Sequence, residues 1–382
     1  MNNEHSLLEL AIIKPNRINY SETFIENHIK LLPGKKHILY EGFFPLRKPD
    51  GSLLIDSKLG LISYLFQKKV LKRKKIAIRT KYLVNYFKEN KINVVFAEYG
   101  PTGALVKDAC EKLGIPLIVI FHGFDISHRA TVQEYLQLYK EMSLYAFAII
   151  GVSRYMVNEL ISIGMPPEKV FYNPYGVETS YFKCSPVLQS KPIFLSVARF
   201  AEKKGPLQTL KAFKMVLKEV PEARLIMAGI GPMWEECKLF AQEVGISASV
   251  EFKGIVTHED IRSLMNQSRA FVQHSVKAPS GDMEGTPNSI LEASSSCLPI
   301  VSTRHAGIPD SVIENKTGFL VEEHDVEGMA AYMIKFAKDP ELASRMGKAG
   351  RLFMLENFEM KERIETIANL LHAALNSHSM PI

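Results

Sequence analysis

The chain alternates short, continuously apolar runs with longer amphipathic ones, the rhythm of β-α-β units. In the first half, Leu8–Lys14, His37–Glu41, Val94–Glu98, Leu117–Phe121 and Ala146–Val152 predict strands. Stretches such as Glu22–Leu31 and Ala104–Leu113 predict helices between them. Pro192 opens a second series, with strands expected at Ile193–Ala198, Leu225–Ala228, Val250–Lys253, Ala270–Gln273, Pro299–Ser302 and Phe319–Val321. These runs are apolar throughout, as in parallel strands covered by helices on both faces.

Two such series predict an α/β protein of two doubly wound, Rossmann-like domains. The junction is expected near the polar, proline-containing stretch Ser185–Lys191, which sets the first domain at 1–188 and the second at 189–359. Residues Met360–Ser377 predict one helix with Ile364, Ile367, Leu370, Leu371 and Leu375 on its apolar side. That helix lies far beyond the last predicted strand, so the segment 360–382 is expected to cross back to the first domain. Open α/β sheets bind ligands at the carboxyl ends of their strands. The expected active site is therefore the cleft between the two sheets.

Composition changes this picture little. A 382-residue chain with 46% hydrophobic and 23% charged residues can bury two cores as a globular protein. Four scattered cysteines (Cys110, Cys184, Cys237, Cys297) have no metal-like or redox-like spacing and predict no disulfide framework. The first residues lack the basic start and apolar core of a signal peptide. No apolar run approaches the roughly 18 residues of a membrane span. A cytoplasmic location is expected.

Charge adds one feature. Residues 1–190 carry 25 Lys+Arg against 17 Asp+Glu, a balance of +8, whereas the remainder carries 22 against 24, or −2. The densest stretch, residues 67–82, places Lys68, Lys69, Lys72, Arg73, Lys74, Lys75, Arg79 and Lys81 beside no acid. A solvated helix face accounts for it. So does a patch touching anionic lipid or a lipid-phosphate acceptor, on the inner face of the plasma membrane. No nucleic-acid-binding motif accompanies the charge.

The chemistry concentrates in Gly281–Ser294. Thr286 suits a helix N-cap and Pro287 the first helical position. The free amides of Asn288 and Ser289 would then form an anion seat of diphosphate size. Glu284 precedes that helix and Glu292 lies about a turn and a half inside it, so the two carboxylates reach different parts of one ligand. A capped helix after an acidic loop, without a ligand, would present the same pattern. In Val197–Gly205 a basic loop follows a strand, and Arg199 and Lys204 could neutralise a diphosphate or could be solvated cations. Leu225–Pro232 places Gly229 and Gly231 after another strand, where a ligand or another backbone comes close. In the first half, Ile120–His128 puts His122 at a strand end, able to bond a substrate hydroxyl or leaving group or to cap the strand. The loops Tyr99–Gly103 and Asn16–Thr23 follow strands too.

Taken together and in order, these segments resemble the retaining glycosyltransferases of family 4, with the GT-B fold, over essentially the whole chain. The most specific match is Glu284 and Glu292 with seven residues between them, followed by Leu298–Thr303 and Gly307–Pro309. Arg199 with Lys204–Gly205, Ala228–Pro232, His122–Gly123, Gly151–Ser153 and Asn173–Glu178 also match. Ser21–Phe24, the VARF segment and the run Gly281–Gly285 are similar to transferases of exopolysaccharide and colanic-acid-type gene clusters. Two positions depart: Ala198 and Cys297 stand where the family has glycine.

The resemblance implies the following roles. Arg199, Lys204, Gly231 and the backbone of Gly285, Thr286, Pro287, Asn288 and Ser289 would hold the donor's diphosphate, Glu292 the ribose and Glu284 the transferred sugar. His122 and Glu284 would work at the reacting bond. It implies no metal and no cofactor, a nucleotide-sugar donor (UDP-glucose or another UDP-sugar before GDP-mannose), and a saccharide or lipid-linked saccharide acceptor. The rivals are a nucleotide-sugar epimerase of the same fold, whose acid/base set does not stand out here, and a non-catalytic nucleotide-sugar-binding homologue.

Overall fold

The computed structural model describes residues 7–17, 22–184, 187 and 190–378. Ser21, and most of the junction between Ser185 and Gln189, lie outside the described residues. Two compact units emerge, Met1–Asn173 with Ile364–Ile382, and Pro174–Arg363.

The first unit holds a six-stranded parallel sheet of β1 (Glu9–Ile13), β2 (Lys35–Leu39), β3 (Val94–Glu98), β4 (Leu117–Phe121), β5 (Ala148–Gly151) and β6 (Val170–Tyr172), in the order β2-β1-β3-β4-β5-β6. All residues of β3, β4 and β5 are buried, as continuous apolar runs covered on both faces require. The register pairs Glu98 with Ile120, which sets the end of β3 beside the turn that carries His122. β6 was not expected. It is three residues long, and exposed Phe171 flanked by two half-buried residues gives it no apolar run.

The second unit repeats the architecture with β7 (Ile193–Val197), β8 (Arg224–Ala228), β9 (Val250–Gly254), β10 (Ala270–Val272), β11 (Ile300–Thr303) and β12 (Gly318–Val321), ordered β12-β11-β10-β7-β8-β9. Every pairing is parallel. The division falls at Asn173–Pro174, ahead of the expected polar junction, because the segment after β6 is bonded to the second unit. Val177 bridges Glu359, and the Arg351 guanidinium donates to the Phe182, Thr179 and Ser295 carbonyls.

The same bonds correct the expectation of unpaired cysteines. Cys184 is disulfide-bonded to Cys297, with Cα atoms 4.8 Å apart and a sequence separation of 113. Arg351 ties the Thr179–Phe182 segment to the end of the Asn288–Ser295 helix, and Cys297 follows that helix directly. Cys297 has φ of 64°, the left-handed conformation that favours the glycine expected there. Cys110 and Cys237 remain free and buried. Among the described residues no helix is long and apolar enough to cross a membrane.

Candidate donor site and a buried histidine pair

In the second unit, β7 leads into a loop at Ala198–Ala201, a short turn at Glu202–Lys204 and the helix Pro206–Glu219. Gly205 joins turn and helix at φ 52°, and a Cβ there would stand 1.8 Å from the His274 carbonyl oxygen. The turn is thereby pressed onto the segment after β10, where Val276 N–H also donates to the Lys203 carbonyl. Lys204 Nζ donates to Glu284 Oε2 at 2.7 Å, and Lys203 Nζ to Asp282 Oδ1 at 3.1 Å. Lys204 and Glu284, read separately from the sequence, are already an ion pair. Arg199 is exposed, and its side chain has no partner among the described residues.

Glu284 is buried. Burial pushes its carboxyl up, but Lys204 and Lys203 outweigh that and hold it below the ordinary carboxylate range. Its backbone is fixed from below: Glu284 N–H donates to His305 Nε2 at 3.1 Å. His305 Nδ1 in turn meets Glu323 Oε1 at 2.6 Å. Because Nε2 accepts, the proton sits on Nδ1 and is donated to Glu323. Glu323 Oε2 also accepts from Lys277 N–H at 2.8 Å, so one carboxylate anchors both the 277 loop and the histidine beneath Glu284.

The helix begins at Asn288, one residue later than expected. Thr286 is not its cap. Pro287 occupies the cap position with extended backbone (ψ 97°) and no capping side chain, and its carbonyl accepts from Ile290 N–H. The amides of Asn288 and Ser289 consequently have no acceptor among the described residues. Among the described residues, two buried oxygens of this loop and helix start also lack partners, Glu284 Oε1 and Asn288 Oδ1. Ser289 Oγ donates to Gln273 Oε1 at 3.5 Å. Glu292 is half-buried with no partner for its carboxyl among the described residues, and burial pushes its pKa up to about 8.

Gly229 and Gly231 serve backbone approach. A Cβ on Gly229 would lie 2.0 Å from the Ala198 carbonyl oxygen, and one on Gly231 2.3 Å from that of Phe200.

In the first unit, His122 Nε2 meets Glu98 Oε2 at 2.9 Å and His28 Nδ1 meets Glu98 Oε1 at 2.8 Å. Glu98 is fully buried. Burial favours its neutral form, yet His28 and His122 together hold its pKa down to about 2. An ionised carboxylate only accepts, so both imidazoles present N–H to it. Asp125 clamps the same turn, accepting from the amides of His122, Gly123 and Gly100. The Tyr99 and Phe24 rings lie 4.5 and 4.7 Å from the His122 ring.

Residues 58–181 match the Glycosyltransferase Family 4 family, and residues 178–353 match Glycosyl transferases group 1. The chain belongs to the group 1 and family 4 glycosyltransferases. It is 28% identical over 285 residues to WcaL of Salmonella typhimurium, which bears the name of a colanic acid biosynthesis glycosyltransferase, spanning 73% of this chain and 70% of the relative. It is also 28% identical over 250 residues to the amylovoran biosynthesis glycosyltransferase AmsK of Erwinia amylovora, 64% and 61% of the two chains. Anabaena HepE, solved in complex with UDP, shares the fold at a TM-score of 0.77 and 16% identity, over 96% of this chain and 100% of that one. This is the GT-B fold.

Within the glycosyltransferase, the structure gathers Lys204, Glu284, Gly285, Thr286, Pro287, Asn288 and Ser289 around one helix start. Glu292 lies further along that helix and Arg199 on the loop after β7. His122 belongs to the first unit. Sequence reasoning missed Glu98, His28, His305 and Glu323. Glu98 left a trace, as the one charged residue of a buried apolar strand. The two distant histidines and Glu323 left none, because their partners are 18 to 70 residues away.

Proposed function

We propose that this glycosyltransferase moves a hexose from a nucleotide sugar to a saccharide or lipid-linked saccharide in cell-surface polysaccharide synthesis, with retention of anomeric configuration. One observation carries the reading. Among the described residues, the amides of Asn288 and Ser289 at the helix start have no acceptor, and the buried Oε1 of Glu284, on the loop leading into that helix, and Oδ1 of Asn288 have no donor. The amides want an anion and the oxygens want hydroxyl donors, and a sugar joined to a diphosphate supplies both. Arg199 and Lys204 add positive charge for the diphosphate, Glu292 offers a carboxyl to the ribose, and His122, held by Glu98, is offered to the sugar and reacting bond.

In the transfer, the bond from the sugar's anomeric carbon to the diphosphate oxygen breaks and a bond to the acceptor oxygen forms on the same face. The acceptor's proton passes to the departing diphosphate, so the nucleoside diphosphate leaves as the other product. The protein contributes positioning and charge stabilisation. HepE complexes with UDP and with UDP-glucose support a UDP-hexose. GDP-mannose stands second, supported by a GDP-mannose-dependent mannosyltransferase of Mycolicibacterium smegmatis, 28% identical over 237 residues.

A thermal-shift screen of nucleotide sugars should give one clear stabilisation, and that donor should release its nucleotide when an acceptor is supplied. Arg199→Ala should raise the donor KM, and Glu284→Gln should lower kcat by about 30-fold or more. Normal kinetics in both variants would refute the assignment. Interconversion of donors without transfer would identify an epimerase.

A further inference from the structure

The helix Lys58–Leu65 is apolar on both sides. Its inner face is buried, with Tyr64 packed against Ile55 and Ile76. Its outer face carries Leu59 at 80% exposure and Ile62 at 64%. The wide turn Phe66–Val70 that continues it adds Phe66 at 53% and Val70 at 63%, and Leu71 follows. A helix that is hydrophobic all round is normally covered, and contiguous exposed apolar side chains mark an interaction surface.

The flanking charge says what covers this one. Between Ser57 and Lys88 there are ten Lys and Arg residues and no Asp or Glu. Lys74 and Lys75 are engaged, by the Glu134 carbonyl and the Glu141 carboxylate, and Lys68 Nζ lies over the Tyr64 ring. Lys69, Lys72 and Arg73 are exposed, and their side chains have no hydrogen bond or ion pair among the described residues. A second copy of the chain on this face would bring like charges together. A surface that accepts apolar side chains and is itself negatively charged satisfies both halves of the patch.

We infer that residues 58–73 dock on an anionic lipid bilayer, with Leu59, Ile62, Phe66 and Val70 entering the acyl boundary and Lys69, Lys72 and Arg73 at the headgroups. Interfacial helices bind in this way, through apolar burial combined with attraction to anionic lipid. The apolar wedge was not legible in the charge pattern of residues 67–82, since it begins nine residues earlier, at Lys58. The inference stands apart from the donor assignment.

Flotation of the full chain with vesicles of phosphatidylcholine alone, or with about a third phosphatidylglycerol, tests it. Wild-type protein should bind the anionic vesicles and not the neutral ones. Leu59→Ser/Ile62→Ser/Phe66→Ser and Lys69→Ala/Lys72→Ala/Arg73→Ala should each weaken binding at least about tenfold. The altered residues are exposed and lie outside the donor site, so both variants should keep wild-type melting and donor binding in the thermal-shift screen. Equal binding of the apolar variant, or no binding by wild type, would overturn the inference. So would a wild-type dimer that the apolar variant converts to monomer, because a second copy would then cover the face. Loss of donor binding in wild type with vesicle binding intact would sink the donor assignment alone.

Discussion

Glu292 is the residue whose chemistry depends most on what binds. Its carboxyl is half-buried with no cation or hydrogen-bond donor among the described residues, and burial raises its pKa to about 8. The unfolded chain ionises this group near pH 4.3, so the folded chain holds the proton longer. Its contribution to stability is complete below that value and is lost as pH rises through about 8. Glu292→Gln should therefore raise Tm by a few degrees at pH 8.5 and change it little at pH 5, by scanning calorimetry. Hydroxyl donors from a ribose would favour the carboxylate, so donor binding at neutral pH should release protons, read as a difference in binding enthalpy between phosphate and Tris buffers. Neither the pKa nor the lack of a partner was legible in the sequence. The sequence placed Glu292 in the helix, eight positions after Glu284, and the resemblance implied a ribose ligand, but neither told that its carboxyl would be buried. That Glu284 would instead be paired with Lys204 follows from the Glu202–Lys204 turn packing on the 282–284 loop, a contact between segments 80 residues apart.

Among the elements, strands were read best and turns least well. β3 and β4 were legible residue for residue, because buried parallel strands are apolar from end to end and helices or loops bound them. The start of the Asn288 helix was displaced by one residue, because Pro287 satisfies a helical φ while its ψ of 97° keeps it outside the helix. The turn before the helix Pro206–Glu219 is sharper than its basic composition suggests. Gly205→Ala would force a side chain into the left-handed region and against the His274 carbonyl. We expect a loss of about 2 kcal/mol or more in urea unfolding. Donor KM should rise with it, since Lys204 is carried by that turn. A variant of unchanged stability would mean that the turn relaxes freely.

For the molecule as a whole, the two-sheet architecture was legible from the repeated β-α rhythm, whereas the ties that close the second unit were not. Cys184 and Cys297 look unrelated because they stand 113 positions apart in sequence, and Arg351, bonding the Thr179–Phe182 segment and Ser295, together with Ser295 Oγ, which donates to the Phe182 carbonyl, brings their backbones together. A cross-link over so long a span constrains the unfolded chain by about 4 to 5 kcal/mol. In oxidising buffer, intact mass after alkylation should show two free thiols, and dithiothreitol should lower Tm by several degrees. Four alkylated cysteines would show that the bond does not form.

The last helix, Met360–His378, has a consequence for synthesis. Residues from Ile364 onward belong to the unit that otherwise ends at Asn173, and Ile367, Leu371 and Ala374 are buried. Domains of a nascent chain usually fold in the order in which they emerge from the ribosome. Here the first unit waits for a piece translated after the whole of the second unit. A chain released after Arg363 should have a first unit that proteases cut readily and a second unit that resists them.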